Sequence, residues 1–325
     1  MQAWVVSDYG DYHDVMQWGE FETPQPGPGE ALVKVAASGV SFALVLRIAG
    51  QYQIKDPLPF VPGTDVAGEV VAVGEDCPYQ VGERVAGTAG RGGFAEYAIL
   101  PGDITYRLPE GMPDTDGVAM LNAYQTSYIG LKHHGRVGKG DYLLVHGAAG
   151  ALGLAAVQLG KHMGATVIAT ASSAEKLDAC KRHGADHLIN YSTDDFVEAV
   201  QDVSKGHGAD VIYDPVGGDV FDASRRCIAF RGRLVIVGFT SGRIPEIATN
   251  RMLLRCFAVD GFTLHGYRQH QPHLLEEGQA ELFRLYREHG LRPAIHEVMP
   301  IGELARAFEL IQNRKTIGKI VLVPG

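Results

Sequence analysis

Cysteine is scarce in this sequence: the 325 residues hold four, Cys77, Cys180, Cys227 and Cys256, scattered without CxxC spacing. That pattern argues against both a disulfide framework and a structural zinc site, and leaves most of them to act as buried small apolar residues. The 13 histidines form no HExxH or similar ligand pattern, so spacing offers no metal centre. No apolar run reaches membrane-spanning length, and the opening MQAWVVSDYG lacks the basic region and apolar core of a secretory leader. No membrane partner and a cytoplasmic location are therefore expected. Positive charge is short as well. Lys and Arg number 29 against 38 Asp and Glu, a formal charge of −9, and no basic cluster is interleaved with aromatics; nucleic acid is not an expected partner.

What is present is a globular composition, 46% hydrophobic and 21% charged, in a chain too long for one ordinary core. Short Val- and Ala-rich segments at Gln2–Ser7, Ala31–Ala37, Val66–Val73, Arg84–Ala86 and Phe94–Ile99 are divided by Gly/Pro turns such as Pro24-Gln-Pro-Gly-Pro-Gly29. They predict a small, strongly bent sheet or partial barrel. Residues 114–132 read as helix with an interruption at Asn122–Thr126. After Gly140, strands are predicted at 142–146, 166–170, 187–190, 209–213, 232–237 and 257–264 with helices between them, the alternation of a parallel sheet covered on both faces. An amphipathic helix at 272–289, a strand near Val298, a helix at 301–312 and a strand at 319–323 form a tail too small to stand alone. It is expected to return to the first domain, so that the α/β chain divides into 1–120, an inserted nucleotide domain at 121–265, and 266–325.

The stretch that organises the chain is Asp141 to Gly164, DYLLVHGAAGALGLAAVQLGKHMG: strand, glycine turn, helix. In such a unit Gly147 turns the chain off the strand, Gly150 admits the backbone to a pyrophosphate, and Gly153 lets the helix pack closely on the sheet. Together with the unpaired N–H groups and positive dipole end of a helix start, Gly147, Ala148, Ala149, Gly150, Ala151, Leu152 and Gly153 are the expected phosphate cradle. An NAD site usually carries an acid at the end of its second strand. Here that place reads Thr170-Ala-Ser-Ser173, with Lys176 one helical turn on. Hydroxyls and an ammonium suit a 2′-phosphate that a carboxylate would repel, so NADPH is the expected cofactor. The plainer alternative has Ser172 or Ser173 capping a helix and Lys176 solvated. Gly217, Gly238 and Phe239, at later strand ends, are candidate contacts to the nicotinamide ribose and ring, with ordinary turn chemistry as their alternative.

A series of blocks carries a family resemblance: Gly39-Val-Ser-Phe42 with Gly50-Gln-Tyr52, Pro62-Gly-Thr-Asp-Val-Ala-Gly-Glu-Val-Val-Ala-Val-Gly74, Val81-Gly-Glu-Arg-Val85, the Gly147–Gly153 loop, Gly184-Ala-Asp-His187, Asp214-Pro-Val-Gly-Gly218 and Gly318-Lys-Ile-Val-Leu322. In this order they resemble the medium-chain dehydrogenase/reductase superfamily, most closely its zinc-free, zeta-crystallin-like quinone oxidoreductase branch. The resemblance implies a Rossmann-type domain inserted into a GroES-like, β-rich catalytic domain. It also marks departures from the zinc alcohol dehydrogenases. Ser41 stands where those have a Cys, Thr64-Asp65 where they have His-Glu, and their four-cysteine lobe is missing; no metal is expected. Within the zinc-free branch, Leu44 replaces a common Asp.

Without a metal to polarise a carbonyl, that work falls to the substrate or to hydrogen bonds. Quinones, enones, enals and enoyl thioesters delocalise the charge of an added hydride as an enolate. By resemblance Ser41, Tyr52 and Thr126 line the nicotinamide end, with Tyr52 as hydrogen-bond or proton donor, or else as an aromatic wall that only packs. In the family a Lys, a Tyr matching Tyr191 and a late Arg hold the 2′-phosphate, so Ser172, Lys176 and Tyr191 are the expected residues, with Arg314 as the late Arg. It implies a homodimer joined through the last strands of the nucleotide domain. Two alternatives stand beside the quinone or activated-alkene reductase. One is an acryloyl- or enoyl-CoA-type reductase, for which Arg225, Arg226, Arg231, Arg243, Arg251 and Arg255 would supply a basic rim. The other is a crystallin-like NADPH-binding protein with little turnover.

Overall fold

Six short apolar runs after Gly140 pair as one parallel sheet, in a computed structural model that describes residues 1–53 and 55–325. They are β1 (Tyr142–Val145), β2 (Thr166–Ala171), β3 (His187–Asn190), β4 (Ala209–Asp214), β5 (Ile228–Ile236) and β6 (Ala258–Gly261). Between them run α1 (Ala151–His162), α2 (Ala174–Arg182), α3 (Phe196–Val203), α4 (Gly218–Ser224) and α5 (Thr249–Arg255). The spatial order is β3-β2-β1-β4-β5-β6, every pair parallel. The order reverses between β1 and β4, and in such a sheet ligands bind outside the carboxyl ends of the strands at the reversal. Leu144, Ile168, Ile212, Phe221 and Leu234 pack into its core. This unit spans Ala123–Gly278.

The other unit, Met1–Asn122 with Gln279–Gly325, is β-rich. Its main sheet runs Ile295–Pro300, Lys319–Val323, Glu30–Val40, Asp65–Val73, Arg84–Thr88, Thr105–Arg107, and Tyr97–Pro101 pairs with Glu30–Val40 as well. The first pair is parallel and the rest antiparallel. Lys319–Val323 thus brings the tail of the chain back beside the early strands. Leu44, Ile48, Phe60, Phe94 and Phe308 fill one core of this unit.

Several expectations need correction. The helix over 114–132 breaks at Met120 and Leu121, and residues 122–126 are themselves helical. Both residues at the break are fully buried, so packing imposes a bend that apolar periodicity hides. The helix then widens into a π-helical turn at Gly130–Gly135. Phe94 precedes its strand, which begins at Tyr97, and is core. Two strands, Met16–Glu20 and Thr105–Arg107, are too short for their patterns to stand out. Of the four cysteines only Cys180 and Cys227 are buried, and burial pushes both thiols up to about 12. Cys77 is half-buried and Cys256 exposed.

Candidate functional site

The glycine loop expected to cradle a diphosphate begins where β1 ends. Gly147 has φ +56°, a left-handed turn that favours glycine. Gly153 is required by space: a Cβ there would lie 2.3 Å from the Gly147 carbonyl oxygen and 2.5 Å from Ala148 Cα. Its close packing is therefore against the loop itself. The glycine that seats α1 on the sheet is Gly160, whose Cβ would lie 2.3 Å from Leu143 Cδ2. Two of the expected phosphate donors are engaged by the fold. Ala148 N–H donates to Thr170 O at 3.0 Å and Gly150 N–H to Gly147 O at 3.0 Å. Ala151, Leu152 and Gly153 open α1, where the first N–H groups have no acceptor within the helix and no side chain caps them. A Cβ on Gly150 would meet only Gly147 O, at 3.4 Å. The cradle is thus tight on its protein side and open where a diphosphate would lie, and its residues fit one.

At the adjacent carboxyl ends of β2 and β3 the structure gathers Ser172, Ser173, Lys176 and Tyr191. Tyr191 N–H donates to Ala171 O at 3.2 Å, and Ser192 Oγ donates to Ser172 O at 3.1 Å. Ser173 is the cap of α2, accepting from Lys176 N–H at 3.4 Å, so the capping role falls on Ser173 and leaves Ser172 outside it. The Tyr191 ring is exposed. Arg314 belongs to the β-rich unit, in a left-handed turn after the helix Leu304–Gln312.

At the ends of β4 and β5, the buried Asp214 carboxylate accepts from Val216 N–H at 2.8 Å and Gly217 N–H at 3.0 Å. Gly217 has φ +68°, and a Cβ there would lie 2.9 Å from Phe239 Cδ1. A Cβ on Gly238 would meet Pro215 O at 3.2 Å. Gly217, Gly238 and Phe239 are therefore brought together. Thr126 is buried on the helix Asn122–Ile129, beside Ser127, whose Oγ donates to Leu152 O at 3.0 Å and lies 2.9 Å from Tyr213 OH. This ties that helix to the start of α1.

Beneath the loop lies a residue that sequence reading missed. His146 is fully buried, with Nε2 2.8 Å from Ser224 Oγ and Nδ1 3.1 Å from Thr170 Oγ1. Ser224 Oγ gives its own proton to Val220 O at 2.7 Å and so accepts from His146 Nε2–H, while Thr170 Oγ1 also reaches Val145 O at 3.4 Å. Burial pushes the pKa of His146 down to about 4, opposed in part by Asp214. Its place directly before Gly147 was the available signal.

In the β-rich unit, Ser41 precedes the helix Phe42–Ile48, and its hydroxyl makes no capping hydrogen bond. Leu44 points into the apolar core with Ile48, Phe60 and Phe308, so no acid faces the site from that position. Tyr52 is half-buried in the loop that follows. Asp65, where a zinc site would begin, is paired with Lys319 Nζ at 2.8 Å, both side chains buried. A Cβ at Gly39 would lie 2.7 Å from Lys319 Cε, so this glycine makes room for the lysine. A Ser–Thr–Asp set whose carboxylate already faces an ammonium does not fit zinc. Among the described residues no group of three or more His, Cys, Asp or Glu is placed to hold a metal ion, and no helix is long and apolar enough to cross a membrane.

Comparison with known proteins agrees with the fold. Residues 27–110 match the alcohol dehydrogenase GroES-like domain and residues 151–278 the zinc-binding dehydrogenase domain. The chain is 37% identical to a quinone oxidoreductase-like protein 2 homolog of Nematostella vectensis, over 93% of this chain and 84% of the relative. It is 33% identical to a 2-haloacrylate reductase of a Burkholderia species, over 96% of each. Among solved structures it is similar to the Escherichia coli quinone oxidoreductase complexed with NADPH, at a TM-score of 0.92 and 28% identity over 100% of both chains.

Proposed function

Because the chain belongs to the zinc-free quinone oxidoreductase branch of the medium-chain dehydrogenase/reductase superfamily, we propose that it is an NADPH-dependent, metal-independent reductase of quinones or activated alkenes such as enones and enals. The observation that carries this reading is the buried Lys319–Asp65 pair, which occupies the place of a Lewis acid. An acceptor reduced here must delocalise incoming charge by itself.

Bound NADPH would supply the hydride. The residues of the chain then have separate tasks. Ala151, Leu152 and Gly153 present N–H groups to the diphosphate. Ser172, Lys176 and Tyr191 hold the 2′-phosphate, with Arg314 as a further cation, and the absence of an acid at the end of β2 favours that group. Gly217, Gly238 and Phe239 support the nicotinamide, and Ser41 and Thr126 contact its amide end. Tyr52 donates a hydrogen bond or proton to the enolate oxygen of the substrate. On this reading Tyr52→Phe lowers kcat about 100-fold with the KM for NADPH unchanged; steady-state kinetics with a quinone and an enone measure it, and unchanged turnover would leave Tyr52 a packing role.

The enoyl-CoA alternative leaned on six arginines. Four of them, Arg225, Arg226, Arg231 and Arg255, sit where chain segments enter β5 and β6, at the amino ends of those strands. Arg243, at a carboxyl end, is held by Asp219 and Asp222. Arg251, in the first turn of α5, is the sixth; with four of the six at the amino ends and a fifth held by carboxylates, they make a poor rim for CoA phosphates, which supports the quinone or enone reading.

A homodimer forming through β6 completes the proposal. β6 is the outermost strand of its sheet, and the neighbouring Phe230, Leu253 and Leu254 are 71%, 77% and 77% exposed. Exposed large apolar side chains beside an open strand edge favour association with another copy. Leu253→Asp with Leu254→Asp is expected to convert a dimer into a monomer in light scattering; an unchanged mass would place the interface elsewhere.

A further inference from the structure

The geometry points to Arg47 and Asp56 as a positioning pair for the loop that carries Tyr52. Arg47 lies in the last turn of the helix Phe42–Ile48, which follows Ser41 and carries the core residue Leu44. Its guanidinium grips the Asp56 carboxylate in a fork: Nε to Oδ2 at 3.0 Å, and Nη2 to Oδ1 and Oδ2 at 2.7 Å each. The same Nη2 donates to Gly90 O at 3.0 Å. The Arg47 and Asp56 side chains are only 11% and 8% exposed.

One guanidinium thus joins three segments: the helix after Ser41, the loop beyond Tyr52, and the glycine-rich turn after the strand Arg84–Thr88. The near side of the Tyr52 loop is fixed independently. Gly50 N–H donates to Arg47 O at 3.0 Å and Gln51 N–H to Leu46 O at 2.8 Å. On the far side, the Tyr9 hydroxyl donates to Asp56 O. Tyr52 therefore hangs between an anchored start and a carboxylate held by a planar cation, and a lysine could not match the fork. A phenol that must meet a developing oxyanion needs this degree of placement, since an error near 1 Å costs on the order of 100-fold in rate.

This rests on the reading of Tyr52 as donor, so the test separates the two claims. Hydrogen exchange in a peptide spanning 49–58 is measured for the whole protein, wild type, Asp56→Asn and Arg47→Lys. Steady-state kinetics with a quinone are measured for Asp56→Asn, Tyr52→Phe and the double variant, and NADPH affinity by fluorescence. Expected are exchange about 10-fold faster in that peptide alone, kcat down on the order of 10- to 100-fold with NADPH affinity unchanged, and a double variant no slower than its slower parent. Arg47→Lys, which keeps the charge, is expected to lie between wild type and Asp56→Asn, and it serves if Asp56→Asn does not fold. Unchanged exchange in both variants overturns the clamp, and so does multiplication of the Asp56→Asn and Tyr52→Phe effects. Faster exchange beside a silent Tyr52→Phe upholds the clamp and removes the donor role of Tyr52.

Discussion

Replacing Gly153 by Ala is expected to weaken NADPH binding about 100-fold while the parallel sheet stays folded. The added Cβ would sit 2.3 Å from Gly147 O, 2.5 Å from Ala148 Cα and 2.7 Å from Ala148 C. All three atoms are backbone, so no rotamer change relieves the clash and α1 must retreat from its loop. Retreat carries the N–H groups of Ala151, Leu152 and Gly153 away from the diphosphate. Charge-assisted hydrogen bonds contribute roughly 1.5–3 kcal/mol each, and losing one or two accounts for the predicted factor. Gly150→Ala is the informative contrast. Its Cβ meets protein only at 3.4 Å, so the melting temperature of the free protein should hold while affinity falls. Fluorescence titration with NADPH beside thermal melts of the free proteins measures both, and an unchanged Kd for Gly153→Ala would refute the cradle.

The second large effect concerns His146 and acid. In the unfolded chain an imidazole titrates near 6.5, whereas burial holds the folded His146 neutral down to about 4. The stabilisation from a folded pKa below the unfolded one is fully present above about 6.5 and is lost as pH falls through the window from 6.5 to 4. A separation of this size corresponds to roughly 3 kcal/mol. Because His146 bonds Ser224 of α4 and Thr170 of β2, the loss should appear as loosening of the phosphate cradle. His146→Asn cannot titrate. It should be less stable than wild type at pH 7.5, with a shallower decline toward pH 4 in urea unfolding. Parallel declines would show that the histidine does not govern acid sensitivity.

Much of this architecture is legible from local pattern. The six strands of the parallel sheet stand within a few residues of their apolar runs, because each is a buried segment ended by turn residues. The glycine turn is legible because glycine spacing and a strand–helix junction coincide at 147–153. What escaped is what folding joins across the chain. The Lys319–Asp65 pair spans a separation of 254 residues, and neither residue alone announces it. Arg47 and Asp56 are nine residues apart, yet the bond crosses a loop whose path no periodicity reports. Gly39 and Gly160 look like ordinary strand and helix glycines until the side chains of Lys319 and Leu143 are seen against them. His146 reads as the last polar residue of a strand, and only its burial against Thr170 and Ser224 turns it into a titrating group that matters.

The measurement that bears most directly on metal-independent reduction is an NADPH-consumption assay, run with a metal analysis of the purified protein. The acceptors are 1,4-benzoquinone and a simple enone, with ethanol and NADP+ as the reverse pair. The account predicts NADPH oxidation by the conjugated acceptors, unaffected by chelator, and no turnover of ethanol. Efficient ethanol oxidation by a protein holding stoichiometric zinc at Asp65 would contradict it.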